Sequence, residues 1–146
     1  MIELNEQNMN LEITDNPKEN EDDFVIAKTR EYNQPFVIDD AKKLSIYIKN
    51  NKSEITAGLT AKTYWHVLHI EFLWVSVLLR GQNVGTQLIL AAEKEAIKRG
   101  CIKATLDTFS FKALGFYQKQ GYKLVGSVSG YVSAHTRHYL EKNLVE

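Results

Sequence analysis

The sequence predicts a mixed α/β fold, a central sheet with helices on both of its faces. Apolar segments of strand length, some alternating and some continuous, recur along the chain. Directly after the turn 80–86, apolar residues recur instead at helical spacing. Taken along the chain, the segments follow the order β-α-β-β-β-α-β-α-β-β, which is typical of a mixed sheet covered by helices.

Composition limits the classes of protein to which the chain can belong. Its 146 residues are 44% hydrophobic, enough for one domain, 1–146, with a buried core. The net charge of zero argues against nucleic acid or an anionic membrane as a partner. No apolar run approaches the roughly 18 residues that cross a bilayer, and the acidic N-terminus is unlike a targeting peptide. The lone Cys101 fits a reducing compartment and a buried site. We therefore expect a cytoplasmic protein.

The first quarter of the chain predicts a strand followed by a helix. Segment 10–14 has the composition of a short strand. Asn16 and Pro17 form a typical helix start, and Pro35 is placed to end the helix. Segment 24–26 would also suit a strand. In the helical interpretation, the apolar stripe consists of Phe24, Ala27 and Tyr32.

The remaining elements follow from changes of period along the chain. Segments 44–49, 54–64 and 65–75 are strand-like, and their short connections predict an antiparallel meander. A helix is expected from Gly85 to Arg99, with Gly100 ending it. The last elements are a strand, a short helix and a hairpin, over Ile102–Phe109, Lys112–Gln120, Tyr122–Tyr131 and His135–Asn143.

The turn between the third strand and the long helix carries Arg80, Gly81, Asn83 and Gly85. The N–H groups and the positive dipole end of a helix that starts here favour an anion, typically a phosphate. A P-loop would require a lysine before Thr86, and the chain has none there. The glycine spacing of a dinucleotide-binding turn is absent as well.

A third pattern fits the same turn. Arg80 and Gly85 match Q/R-x-x-G-x-G/A, with Asn83 where the first glycine is usual. This turn resembles the pyrophosphate turn of the GNAT superfamily of acetyltransferases. Asn is one of the few residues that tolerate a positive φ, so the turn can still form.

Two further segments strengthen the resemblance to GNAT enzymes. Segment 73–75, Leu-Trp-Val, is similar to the strand end that faces the cofactor in that family. Segment 110–122 is similar to the family pattern N-x-x-A-x-x-[FL]-Y-x-x-x-G-[FY], with Ser110 in place of the asparagine. The "HIEFLWV" and "LDTFSF" segments look like those of small single-domain bacterial members.

The resemblance implies acetyl-CoA, and hence coenzyme A, as the cofactor. It also implies a mostly antiparallel sheet in which two parallel strands splay apart, here the strand ending at Val75 and the strand Ile102–Phe109. The pantetheine arm would fill that gap. The cofactor-binding residues that it implies are Leu73, Trp74, Val75, Val77, Arg80, Gly81, Gln82, Asn83, Val84, Gly85, Thr86, Ser110, Ala113, Phe116 and Tyr117.

The implied reaction is direct attack of an amine on the thioester through a tetrahedral intermediate. Tyr117 stands at the family's tyrosine position and is predicted to protonate the departing thiolate. Either Glu71 or His69 could take the proton of the amine, directly or through water, and water alone remains an alternative. With a strand period of two, His69, Glu71 and Leu73 are expected on one face.

The acceptor is expected to be a small-molecule amine, with a free amino acid as the more specific hypothesis. Asp107, Thr108, His135 and Arg137, together with Glu71, are predicted to bind it, and Arg137 would suit a carboxylate. Two alternatives stay open: a peptide N-acetyltransferase and a non-catalytic acyl-CoA-binding module. The four histidines indicate no metal site. A homodimer is compatible with the sequence.

Overall fold

The computed structural model describes residues 2–4 and 9–146, and its contacts divide the chain into two units, Met1–Asp39 and Asp40–Glu146. In the first unit, strand β1 (Ile2–Leu4) pairs antiparallel with β2 (Met9–Leu11). The predicted first strand, 10–14, is therefore β2, and it ends earlier than expected. Helix α1 follows over Glu19–Asn33. The prediction of a single domain stays a prediction.

Helix α1 confirms the helical interpretation of this segment but differs in its start and in its burial. Lys18 is the N-cap residue and makes no side-chain cap, so the predicted start at Asn16 is wrong. Three acidic residues in the first turn complement the helix dipole. The predicted apolar stripe is not buried, because Phe24 is 63% and Tyr32 is 74% exposed. None of the described helices has both the length and the apolar composition of a membrane span.

The second unit contains a six-stranded sheet with the strand order β3-β4-β5-β6-β8-β7. Neighbouring strands are antiparallel except for β5 and β6, which are parallel. The predicted mixed, mostly antiparallel sheet is confirmed. Its strands are β3 (Lys42–Lys49), β4 (Ile55–Tyr64), β5 (Val67–Val75), β6 (Lys103–Phe109), β7 (Lys123–Tyr131) and β8 (His135–Asn143).

Helices α2 (Val84–Lys98) and α3 (Leu114–Lys119) complete this unit. Each begins and ends within one or two residues of the predicted positions. The predicted apolar repeat of α2 is buried, with Leu88, Ile89, Ala92 and Ala96 at 0–2% exposure. Gly100, with φ of 91°, ends the helix as expected.

A buried ionic contact ties α2 to the C-terminal strands. Glu93 of α2 is 6% exposed and accepts hydrogen bonds from Tyr122 Oη at 2.8 Å and from Lys142 Nζ at 2.9 Å. Burial and the neighbouring carboxylate raise the pKa of Tyr122, so the phenol stays a donor. Both carboxylate oxygens of Glu93 are thereby satisfied inside the protein.

Strand β5 begins later than the sequence predicts. Segment 65–75 is mostly apolar, but Trp65 and His66 both adopt positive φ, at 50° and 68°. Two consecutive positive φ values form a tight two-residue hairpin turn between β4 and β5. The composition alone does not distinguish these turn residues from the strand that follows.

Strands β5 and β6 separate part of the way along the sheet. They pair only over 67–69 with 103–105, and beyond those residues each strand runs on without pairing to the other. The predicted splayed parallel pair is therefore present. The separation opens a cleft through the sheet between the second half of β5 and the second half of β6.

A β-bulge at Glu71 changes the facing of side chains along β5. Ile70 pairs with Ala61 and Phe72 with Thr60, so Glu71 is an extra residue without a partner. Ile70 and Leu73 consequently share the core face although they are three residues apart. The prediction that His69, Glu71 and Leu73 share one face is wrong, because strict alternation does not continue through a bulge.

Candidate active site

The first of two cavities at the cleft lies between the end of β5, the turn 80–86 and α3. We call it the turn cavity, and its volume is about 670 Å³. Its lining includes most of the predicted cofactor-binding residues: Leu73, Trp74, Val75, Arg80, Gly81, Asn83, Val84, Gly85, Thr86, Ala113, Phe116 and Tyr117. Val77, Gln82 and Ser110 were also predicted but do not line it.

The backbone of the turn leaves the start of α2 open. Asn83 is the N-cap residue, adopts φ of 63° and ψ of 22°, and makes no side-chain cap. The first bond of the helix runs from Gln87 N–H to Asn83 C=O. The N–H groups of the preceding residues are therefore available to an anion, as at other uncapped helix N-termini.

The charges around the turn cavity have one sign. Arg80, Lys112 and Lys119 line it, and no carboxylate does among the described residues. Arg80 is oriented by a 3.4 Å hydrogen bond from its Nε to the carbonyl of Val75. Sequence reasoning missed the two lysines, although both lie within the motif segment 110–122 that carries α3. A cavity with three cations and an open helix start suits a polyanionic ligand such as a diphosphate.

Two contacts connect the start of α2 to α3. A Cβ atom added to Gly85 would lie 3.2 Å from Cζ of Phe116, so the ring packs directly on the glycine. Gln120 donates a hydrogen bond from Nε2 to Oγ1 of Thr86 at 2.9 Å. Gln120 was not among the predicted residues. These contacts fix α3, and therefore Tyr117, relative to the turn.

Tyr117 lies on α3 and lines the turn cavity beside the cleft. Its ring is half-buried and packs edge-on against Phe116, with centroids 5.1 Å apart. Burial, and secondly the negative charge of Asp107, raise the pKa of Tyr117. The phenol therefore stays protonated at neutral pH and can act as a proton donor.

The second cavity, which we call the strand cavity, lies where β5 and β6 have separated. It has a volume of about 690 Å³. The structure brings four of the predicted catalytic and acceptor residues together in its lining: His69, Glu71, Asp107 and Arg137. Lys62, Phe72, Phe109 and Tyr139 also line it and were missed by sequence reasoning.

Two predicted acceptor residues lie elsewhere. Thr108 is 4% exposed and does not line the strand cavity, because it alternates with Asp107 onto the core face of β6. His135 forms a 2.9 Å hydrogen bond between Nδ1 and Oγ of Ser110. Ser110 also accepts the N–H of Thr136 at 3.1 Å. His135 and Ser110 therefore join the start of β8 to the end of β6.

Arg137 is held in a fixed orientation at the edge of the strand cavity. Its Nε donates to Oδ1 of Asp107 at 2.9 Å. The guanidinium carbon lies 5.6 Å from the ring centroid of Phe109 and 5.2 Å from that of Tyr139. The hydrogen bond to Asp107 raises the pKa of Arg137, which stays charged. A guanidinium has five N–H donors, and Asp107 takes one of them here.

His69 is held on the opposite wall of the strand cavity. Its ring stacks on Tyr64 at 4.2 Å, and Nδ1 lies 3.2 Å from Oγ1 of Thr105. Burial, and secondly the charge of Lys62, lower the pKa of His69 below its usual 6.5, while Glu71 opposes the shift. The ring is therefore neutral at pH 7 and able to accept a proton.

Comparison with known proteins identifies the family. The model of the acetyltransferase (GNAT) family matches residues 5–122. The chain is 37% identical over 109 residues to blasticidin-S acetyltransferase of Streptomyces morookaense, a match that covers 72% of this chain and 80% of that protein. A crystal structure of an acetyltransferase from Bacillus cereus superposes with a TM-score of 0.79 at 33% identity, covering 90% and 97% of the two chains.

A more distant structure shares the fold. It is an aminoglycoside 6'-N-acetyltransferase complexed with coenzyme A, with a TM-score of 0.62 at 20% identity over 71% of this chain and 74% of that one. The family match and the similar chains are decisive: this chain belongs to the GNAT acetyltransferase family. It is an acetyl-CoA-dependent N-acetyltransferase, and the resemblance seen in the sequence is confirmed.

The described residues fit the cofactor of that family. Coenzyme A carries a diphosphate, and the turn cavity offers an uncapped helix start and three cations without a carboxylate. Gly81 adopts φ of 79°, a conformation that L side chains rarely adopt. The charges and the backbone of the turn cavity thus match a diphosphate-bearing ligand.

Proposed function

We propose that this enzyme acetylates the primary amine of a small molecule bound in the strand cavity. The observation that carries this proposal is the position of that cavity, because it shares the β5–β6 cleft with the turn cavity. Its volume of about 690 Å³ is that of a small-ligand site. Similarity to a protein named blasticidin-S acetyltransferase also favours a small acceptor.

We further propose that the acceptor carries a carboxylate, as a free amino acid does. Arg137 supports this, since it lines the strand cavity, is charged and packs near the rings of Phe109 and Tyr139. A guanidinium presented in this way suits two-point pairing with a carboxylate. Asp107 fixes the orientation of Arg137 and lines the same cavity.

The proposed mechanism divides two proton transfers between the two cavities. Acetyl-CoA supplies the acetyl group as a thioester, and the turn 80–86 with its cations holds the diphosphate. In the strand cavity, a base removes the proton that most amines carry at pH 7. In the turn cavity, the Tyr117 hydroxyl gives a proton to the leaving sulfur, because its raised pKa keeps it protonated.

Either His69 or Glu71 serves as the base in this mechanism, since both line the strand cavity. His69 is supported by its lowered pKa and by its fixed ring. In the tautomer in which Nδ1–H donates to Thr105 Oγ1, Nε2 is the nitrogen that accepts a proton. Because the pKa is lowered, activity that depends on neutral His69 persists to below pH 6.5 and is lost as the pH falls further.

Single substitutions distinguish the two bases. If His69 is the base, His69→Gln lowers kcat/KM by about a hundredfold and removes the acidic limb of the pH profile. Glu71→Gln then retains kcat/KM at neutral pH, and its acidic limb moves to lower pH. The reverse result assigns the role to Glu71. Full activity in both variants would exclude both side chains and leave water as the acceptor of the proton.

The acceptor proposal is tested by coenzyme A release with a panel of amines. Amino acids should be better substrates than their carboxamides, and Arg137→Gln should remove most of that preference. Acetylation of peptides without acetylation of free amines would contradict a small-molecule acceptor. Coenzyme A binding without turnover on any amine would indicate a non-catalytic module.

A further inference from the structure

The ring of His69 is contacted by side chains from two neighbouring strands. Tyr64 of β4 stacks on it with an interplanar angle of 9° and centroids 4.2 Å apart. Thr105 of β6 lies within hydrogen-bond distance of Nδ1, at 3.2 Å. These contacts fix both the plane of the ring and the nitrogen that faces Thr105.

Lys62 belongs to the same cluster. It is the Cα partner of His69 in the β4–β5 register, so the two side chains leave the sheet on the same face as direct cross-strand neighbours. Both residues line the strand cavity. The ammonium of Lys62 lies 5.9 Å from the centroid of Tyr64, whose ring stacks on His69.

Among the described residues that line the strand cavity, Lys62 is the lysine or arginine without an ion pair, whereas Arg137 is paired. Glu141 of β8 forms an ion pair with Lys103 at 3.0 Å, and Asp107 forms one with Arg137 at 2.9 Å. Lys62 has no ion pair among the residues that the structure describes. Glu71 lies two residues after His69 on the same strand. Its negative charge raises the pKa of His69, opposite to the effect of Lys62.

We propose that Lys62 is a positioning residue that, together with Tyr64 and Thr105, keeps the ring of His69 uncharged and oriented as a proton acceptor. Protonated His69 would be a second cation beside Lys62, a repulsion that is weakened but not removed by solvent. The neutral ring has no such penalty. This inference rests on the proposed function, in which His69 is one of the two candidate bases.

A histidine titration followed by NMR tests the inference without any substrate. The resonance of His69 is assigned by its loss in His69→Gln, and its midpoint is measured in the other variants. Lys62→Gln should raise the midpoint by about half a pH unit, an effect of the order expected for one partly screened charge. Lys62→Arg keeps the charge and should leave the midpoint in place. Glu71→Gln should lower it.

An unchanged midpoint in Lys62→Gln would overturn the inference, as would an equal rise in Lys62→Arg. Kinetics then separates the inference from the proposed function. The acidic limb of kcat/KM should move with the NMR midpoint in Lys62→Gln. If the NMR midpoint moves and the limb does not, Lys62 controls the charge of His69 as inferred, and the assignment of His69 as the base fails.

Discussion

The turn cavity and the strand cavity lie in one cleft but differ in the charges that line them. Among the described residues, only positive charges line the turn cavity. Arg80 comes from the turn after β5, and Lys112 and Lys119 come from the segment after β6 that contains α3. The strand cavity mixes Lys62 and Arg137 with Glu71, Asp107 and Glu141, supplied by four strands. A diphosphate needs positive charge and backbone N–H groups, which local segments provide. Selective binding of the proposed acceptor would instead depend on side chains, such as Asp107 and Arg137, that are brought together across the sheet.

The largest expected effect comes from Tyr117→Phe, which removes the proposed proton donor in the turn cavity. Without the hydroxyl, kcat should fall by about a hundredfold or more, the usual contribution of a general acid. Affinity for coenzyme A, measured by calorimetry, should change little because the ring is retained. Since burial raises the pKa of Tyr117 above its usual value of 10, loss of this proton should halve wild-type kcat only above pH 10. A kcat within a few-fold of wild type would reject the role.

Glu93→Gln probes a region outside both cavities. The amide keeps the acceptor for Tyr122 but removes the charge opposite Lys142, so the free energy of unfolding should fall by about 2 kcal/mol. Urea denaturation measures this loss. Coenzyme A affinity at a temperature where the variant is folded should equal that of wild type. A loss of affinity with unchanged stability would show that Glu93 acts on the turn cavity.

Gly85→Ala tests how tightly α2 and α3 approach. The added Cβ would lie 3.2 Å from the ring of Phe116, and the ring would have to move. Coenzyme A affinity should fall about tenfold, in line with the cost of a small steric conflict. Gly115→Ala is the matched control, because its Cβ meets nothing within 4 Å. Equal affinities in the two variants would show that the contact with Phe116 is irrelevant to binding.

The smallest expected effect is that of Gln120→Leu, which removes the hydrogen bond to Thr86. Its loss should weaken coenzyme A binding about fivefold, corresponding to one ordinary hydrogen bond of about 1 kcal/mol. Gln118→Leu, at an exposed position of α3 two residues before Gln120, should bind as wild type does. A similar weakening in both variants would attribute the effect to α3 in general.

The sequence predicted the turn cavity far better than the strand cavity. Arg80, Gly85 and Tyr117 lie in short segments whose spacing is itself the signal. Their arrangement depends mainly on one turn and one short helix. The splayed strand pair and the long helix α2 were likewise predictable, because apolar periodicity and a family pattern indicate them.

The strand cavity was predicted incompletely because long-range pairing decides it. The bulge at Glu71 depends on the register with β4, which no local pattern in β5 reveals. Lys62 lies beside His69 only through the register between β4 and β5. The sequence predicted that both Asp107 and Thr108 bind the acceptor, but neighbouring residues on a strand point to opposite faces, and the structure buries Thr108.

The account depends most on the claim that the turn cavity, and not the strand cavity, binds the cofactor. Calorimetric titration of coenzyme A into Arg80→Gln and Arg137→Gln tests it directly, since each variant removes one positive charge from one cavity. We expect about tenfold weaker binding in Arg80→Gln and wild-type binding in Arg137→Gln. Equal weakening in both variants, or weakening in Arg137→Gln alone, would contradict the account.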